Sequence, residues 1–246
     1  MSAFTTRRGS ARWTACAVTA ICFATSSAWG QVDTGGGDAG AGVDPLAGVD
    51  IMKVEEDWVL DIANPDPEAD CPQIITVFGP SDPTIGTHAV VELNHGTLPD
   101  FSEGGMQLSV WWGDWLIGYR RQHAPAELYY AIERLTYTTV TEVQNNRLKL
   151  FVANGESLTW GEFGDDGTSS MKVELLTERA NLNEWNPDHS INHSRVTYGA
   201  NRVNKYVRSE IRYYTESGLH YTDSNESVIH RLTEDEFAPD PVNAGD

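Results

Sequence analysis

The chain has 246 residues, 36 of them acidic and 17 basic, for a net charge of −19, and 40% of its residues are hydrophobic. That is enough apolar material for one ordinary core, while the acidic excess repels phosphate backbones and anionic lipid, which excludes nucleic acid and polybasic membrane docking as expected partners.

The first thirty residues carry an export pattern. Arg7, Arg8 and Arg12 precede an apolar run from Trp13 to Ala24, followed by Ser26, Ser27, Ala28, Trp29 and Gly30. A basic region, a short apolar stretch and small residues fit a cleaved signal peptide over 1–30, and the run is too short to span a bilayer. Cleavage leaves fourteen basic against thirty-six acidic residues, a net charge of −22. Later segments never approach the length of a membrane helix, so no transmembrane segment is expected once the signal is removed. The expected location is outside the cytoplasm, either periplasmic or extracellular at the cell surface. Cys16 and Cys22 lie in the signal and Cys71 alone remains, so no internal disulfide is expected. Residues 31–50, rich in Gly, Ala and Asp, predict a flexible linker. A folded domain over 51–236 and a disordered tail over 237–246 follow.

Within the domain the dominant period is two. Candidate strands in chain order are Lys53–Ile62, Gln73–Phe78, His88–Leu93, Met106–Trp112, Leu116–Arg120, Tyr129–Val143, Leu148–Val152, Lys172–Leu175, Val207–Tyr214 and Ser227–Arg231. Alternation puts one set of side chains in a core and the other in water. In the Val207–Tyr214 stretch, Val207, Ser209, Ile211 and Tyr213 share one parity, and Arg208, Glu210, Arg212 and Tyr214 share the other. Turn chemistry separates these runs at Asn94-His95-Gly96, Glu103-Gly104-Gly105, Asn154-Gly155, Asp165-Asp166-Gly167 and Ser217-Gly218. No long segment keeps a helical period. The predicted fold is therefore all-β, a two-sheet antiparallel β-sandwich of jelly-roll type.

Four stretches carry a resemblance: Val54-Glu55-Glu56-Asp57-Trp58; Glu92-Leu93-Asn94-His95 through Gly104-Gly105-Met106-Gln107-Leu108; Trp160-Gly161-Glu162-Phe163-Gly164; and Tyr198-Gly199-Ala200-Asn201-Arg202-Val203. Together, over most of 53–232, they resemble a group of uncharacterised exported bacterial proteins with a concanavalin A-like or laminin-G-like sandwich. The resemblance implies a fold class and an exported location. It supplies no catalytic residues.

Sandwich glycosidases need two carboxylates on one strand face to flank a glycosidic bond. Glu55, Asp57 and Asp61 share a parity, but their spacing skips a pleat, and the plainer expectation is a first strand at a sheet edge guarded by charge. His189 and His193 stand i, i+4, as zinc ligands do on a helix, yet Asn186-Pro187-Asp188 predicts a turn-rich loop there. His88, His95 and Asp100 make a triad only on paper, because no nucleophile elbow accompanies them. Asp165 and Asp166, with Glu162 nearby, form the one candidate calcium loop; an Asp-Asp-Gly turn is the alternative. Beyond Ca²⁺, no cofactor is expected.

Aromatic residues cluster at Trp111-Trp112-Gly113-Asp114-Trp115 with Tyr119. Adjacent tryptophans on a strand point to opposite faces. With Met106, Leu108, Val110 and Trp112 in the core, Trp111 faces out and Trp115 lies at or beyond a turn. An exposed indole stacks on the apolar face of a sugar while nearby polar groups bond its hydroxyls. Trp111, Trp115, Tyr119, Arg120 and Trp160 are the candidate ligand-binding residues, with Arg121 and Tyr129 as neighbours. Three functions compete: a non-catalytic exported module binding a polysaccharide or other cell-envelope component; a structural or adhesive surface module with a protein partner; and a glycan-active enzyme with a diverged acidic site. Missing paired carboxylates weigh against the third.

Overall fold

The computed structural model describes residues 44–63, 72–94, 105–124, 128, 132–165 and 171–232. The signal-peptide stretch, residues 31–43 of the expected linker and the tail lie outside them, as do Cys71, His95, Asp100, Tyr129 and Asp166.

Among the described residues, thirteen strands form two antiparallel sheets packed against each other. They are β1 (Lys53–Ile62), β2 (Gln73–Phe78), β3 (Thr87–Leu93), β4 (Gly105–Trp112), β5 (Trp115–His123), β6 (Arg134–Gln144), β7 (Arg147–Ser157), β8 (Gly161–Phe163), β9 (Lys172–Leu176), β10 (Arg195–Tyr198), β11 (Val203–Thr215), β12 (Gly218–Asp223) and β13 (Ser227–Arg231). One sheet has eight strands, running β12-β11-β1-β6-β7-β8, with β13 also on β11 and β9 also on β7. The other has five, in the order β10-β2-β3-β4-β5. The protein is an all-β two-sheet sandwich, as alternation implies. Among the described residues no helix is long and apolar enough to cross a membrane.

Strand β1 shows how sequence becomes layer. Val54, Glu56, Trp58, Leu60 and Ile62 are buried, while the residues between them are partly exposed. It lies between β11 and β6, however, and is not an edge. Its outward carboxylates are therefore not edge guards. They pair across strands instead: Asp61 accepts two hydrogen bonds from Arg134 of β6, at 2.7 and 3.0 Å, and Glu55 and Asp57 both accept from Arg212 of β11.

A β-bulge changes the phase of β11. Asp57 pairs with Glu210 but Trp58 pairs with Arg208, so Ser209 is the extra residue. Tyr213 and Ile211 point inward on one side of the bulge, and Arg208 and Tyr206 point inward on the other. Simple parity puts Arg208 in water; the bulge puts it beside Glu56, with Nη1 2.9 Å from Oε1. Ser190 also donates to Glu56, at 3.0 Å. Burial pushes the Glu56 carboxyl above its ordinary value, against the opposing pull of Arg208 and the hydroxyls of Ser190 and Thr139.

The sheets are joined through their middle. Trp58 stacks near Tyr137 and Tyr206, and its Nε1 donates to Thr139 Oγ1 at 2.9 Å. The hydroxyls of Tyr137 and Tyr206, both from the larger sheet, meet Thr76 Oγ1 of β2 in the smaller one. Burial drives the Tyr137 phenol up to about 12 and that of Tyr206 well above its ordinary value.

Local chemistry departs from the expected punctuation in three places. Asn154-Gly155 is not a turn but a bulge within β7, and the hairpin between β6 and β7 closes at Asn145-Asn146, whose φ values of +52° and +59° suit a two-residue loop matching strand twist. Residues 187–193, expected as a loop, form a short helix α1 (Pro187–His193), capped by Asn186 through a 2.9 Å bond from the Asp188 amide and opened by Pro187 at its first position. Residues 44–50, spacer-like in composition, lie on the sandwich, because Leu46 and Val49 pack against the core. Strands β8, β10 and β12 carry too few alternating apolar residues to be recognised beforehand.

Candidate functional site

The smaller sheet presents an outer face whose rows follow from register. Arg195, Ile75, Glu92, Gln107 and Arg121 stand side by side on β10, β2, β3, β4 and β5. Val77, Val90, Ser109 and Tyr119 make the next row. His88, Trp111 and Leu116 make the third. Helix α1 and its exit cover the β2 side, where Ser194 Oγ accepts from the Val77 amide at 2.9 Å. Among the described residues, nothing is packed over the β4–β5 side.

Four of the aromatic positions lie on the β4–β5 hairpin, divided between its faces: Trp111 and Tyr119 stand in the outer rows, and Trp112 and Trp115 face the other way at the tip. The β4–β5 hairpin turns at Gly113-Asp114, with Gly113 at φ +51°, and aligns Trp112 with Trp115 across the strands. Trp115 is 74% exposed, Trp112 60% and Tyr119 51%, while Trp111 is half-buried on the outer face. Trp112 was expected in the core. Its parity is right, but burial on β4 ends at Val110 and the hairpin tip leaves the ring in water.

Beside Tyr119 on the outer face runs a polar ladder. Gln107 Nε2 donates to Glu92 Oε2 at 3.1 Å and to Ser109 Oγ at 3.0 Å. Arg121 Nε donates to Gln107 Oε1 at 2.8 Å, and its guanidinium carbon lies 5.2 Å from the centre of the Tyr119 ring. Such a contact orients the ring and keeps the cation beside it. Arg120 is exposed, with Nη1 donating to the Tyr119 carbonyl at 2.8 Å. Flat rings next to fixed donors and acceptors form a platform, a shape suited to a chain lying across a surface.

Trp160 does not join this platform. It sits between β7 and β8, edge-on to Phe163 at 5.5 Å, and lines a small crevice with Gln122 and His123 at the far end of β5. At about 3.3 Å per residue that is on the order of 20 Å along the strand from Trp111. Of the candidate calcium loop, Asp165 lies within the described residues and its carboxylate pairs with Lys172 at 3.0 Å. His189 and His193 do share one helix, as a zinc pair would, and His189 Nε2 lies 3.8 Å from Asp82. Among the described residues, no three His, Cys, Asp or Glu side chains are placed to hold a metal.

The carboxylates on the outer face of the larger sheet suit structure better than acid catalysis. Desolvation raises the Glu55 carboxyl, but hydrogen bonds from Lys53, Tyr214 and Arg212 outweigh it and hold the group below its ordinary value. Arg212 does the same to Glu210. A general acid needs the opposite shift.

The rings, Arg120 and Arg121 stand out in the sequence, but Glu92 and Gln107 do not. Parity already turns Glu92 and Gln107 outward; their alignment with Arg121 needs the register of three strands. No protein-family model matches the chain, and no curated protein is significantly similar to it.

Proposed function

We propose that this is an exported, non-catalytic β-sandwich of concanavalin A-like type that binds a glycan or another cell-envelope component through the β4–β5 face. The observation that carries the reading is the exposure of Tyr119 beside the Glu92–Gln107–Arg121 ladder, with Trp111 in the next row of the same face and Trp112 and Trp115 exposed at the adjoining hairpin tip. Solvent-facing indoles are costly to leave in water and useful only when a partner covers them. Sugar rings cover exposed aromatic rings well, because their axial C–H faces are apolar, and a sugar stacked on Tyr119 sets its hydroxyls against the ladder.

A second reading is a structural or adhesive module with a protein partner. It draws on β5, a nine-residue strand at the edge of its sheet with Leu116 and Ile117 exposed, the kind of edge that another chain can extend.

Co-sedimentation of the purified chain with insoluble and cell-wall polysaccharides, with calcium and with chelator, separates the two. Binding is expected to be lost in Trp115→Ala, whose exposed ring costs less than about 0.5 kcal/mol of stability to remove. Absence of binding to every polymer, or binding indifferent to Trp115→Ala and Trp111→Ala, overturns the glycan reading in favour of the protein-facing one.

A further inference from the structure

Resting on the export reading, we propose that Asn225 is a glycosylation site, where a transferase outside the cytoplasm attaches a glycan to the side-chain nitrogen. The run Asp223-Ser224-Asn225-Glu226-Ser227 places a hydroxyl two residues after an asparagine with no proline between, the pattern of an N-glycosylation acceptor on a surface loop. Asp223, two residues before, adds a carboxylate that a cationic acceptor groove can hold. One other run has the pattern, Asn192-His193-Ser194, and there Ser190 stands where the acid would be.

Structure separates the two runs. Asp223 ends β12 opposite Ile211 and Ser227 opens β13 opposite Arg208, so residues 224–226 cross the Ser209 bulge outside both ladders, and all three are exposed. Asn225 is held by its neighbour, since Asp223 Oδ1 accepts from its backbone amide at 3.0 Å and from its Nδ2 at 2.6 Å. Glu226 pairs with Lys205 and Arg231, and the half-buried Ser227 hydroxyl accepts a long 3.4 Å bond from Arg208 Nη2. Surface ties of this kind are worth little and release the loop without opening the sandwich. Asn192 lies instead within α1, and the Ser194 hydroxyl that follows it is buried, accepting from the Val77 amide. In the transfer, Nδ2 attacks the anomeric carbon of an oligosaccharide carried on a polyprenyl diphosphate. The C–N bond forms as the C–O bond to the diphosphate breaks, one Nδ2 proton passes to a base of the transferase, and the lipid diphosphate leaves. Strands β12 and β13 lie at the edge of the larger sheet, with Leu219 and Val228 exposed on them, and a hydrated glycan at their junction guards that edge against pairing with another chain.

The test expresses the full chain in cells that make a polyprenyl diphosphate-linked oligosaccharide and one of two oligosaccharyltransferases: one that demands an acid two residues before the asparagine, or one that reads Asn-x-Ser/Thr alone. Mass spectrometry of the tryptic peptide 213–231 reads occupancy, and the N-terminal peptide reads export. Asn225 is expected to carry the glycan with either enzyme. Asn225→Gln and Ser227→Ala should abolish it, Ser227→Thr should keep it, and Asp223→Ala should abolish it with the first enzyme alone, under which Asn192 stays bare. No glycan on Asn225 from either enzyme, in cells that glycosylate an exported reporter bearing the same five residues, overturns the proposal. Equal occupancy of Asn192 and Asn225 with the first enzyme, or indifference to Asp223→Ala there, overturns the role given to Asp223 and the loop. A chain that keeps residues 1–30 refutes the export reading instead; the purified chain, mixed with the first enzyme and the lipid-linked oligosaccharide in detergent, then decides the acceptor by the same mass shift.

Discussion

Glu56 and Arg208 are 2% and 5% exposed, and each is tolerable inside the sandwich only because of the other. Two charges removed from water lose hydration that their mutual attraction barely recovers, so such a pair adds little net stability while making the loss of one member severe. Here the remaining valences are largely met, by Ser190 and Thr139 on the carboxylate and by the Pro187 carbonyl on the guanidinium at 2.8 Å. Arg208→Met is therefore expected to cost about 3–5 kcal/mol in urea unfolding, and the double change Glu56→Leu with Arg208→Met to recover most of that loss. A single-variant cost under about 1 kcal/mol would mean that water reaches the pair. The partnership was not legible from residue types. Glu56 alternates inward in any reading of β1, but Arg208 turns inward only because Ser209 is skipped.

Among the elements, β7 depends most on a missing side chain. Gly155 sits next to Asn154, at φ +52°, where the strand bulges, and a Cβ there would come within 2.3 Å of the Phe163 ring on β8. Phe163 in turn packs toward Tyr137 at 6.4 Å and Trp160 at 5.5 Å, so the ring has no easy retreat. Gly155→Ala should lower stability by about 1–3 kcal/mol, the usual range for overpacking, read as a drop in melting temperature. An unchanged melt would show that the three rings repack freely. The dipeptide Asn-Gly is a hairpin signal taken alone; within β7 the same torsional freedom serves a bulge, because strand pairing continues on both sides of it. Similarly β5 is recognisable as apolar and aromatic, but its place at the sheet edge, which leaves those rings in water, depends on which strands pair.

For the molecule as a whole, acid is the sensitive direction. Hydrogen bonds from Thr84 hold Asp82 below its ordinary 3.8, and Arg212 and Lys205 hold Glu210 and Glu226 below theirs of 4.5; Glu55 is lowered as well. Carboxylates whose folded values lie below their unfolded ones contribute stability that is present above the unfolded value and lost as pH falls through the folded one. At about 0.15 M salt, which screens the net negative charge, melting temperature should decline gently below about pH 6.5, because burial holds His88 and His193 below their ordinary value, and steeply below about pH 4.5, with Glu56, raised by burial, working the other way. Arg212→Met should make that fall shallower; a slope identical to the parent would remove Arg212 from the account. Alternation of apolar and polar residues, a period of two read within single strands, was by itself sufficient to determine the strand-rich class and the two-sheet sandwich, because burial on one face is a local demand. Only the tertiary structure decided that β1 is central, that Arg208 is inside, that Trp112 is outside and that Trp160 stands apart from Trp111. Each of these depends on strand order and register, and those are chosen by contacts between residues distant in sequence, which no local period records.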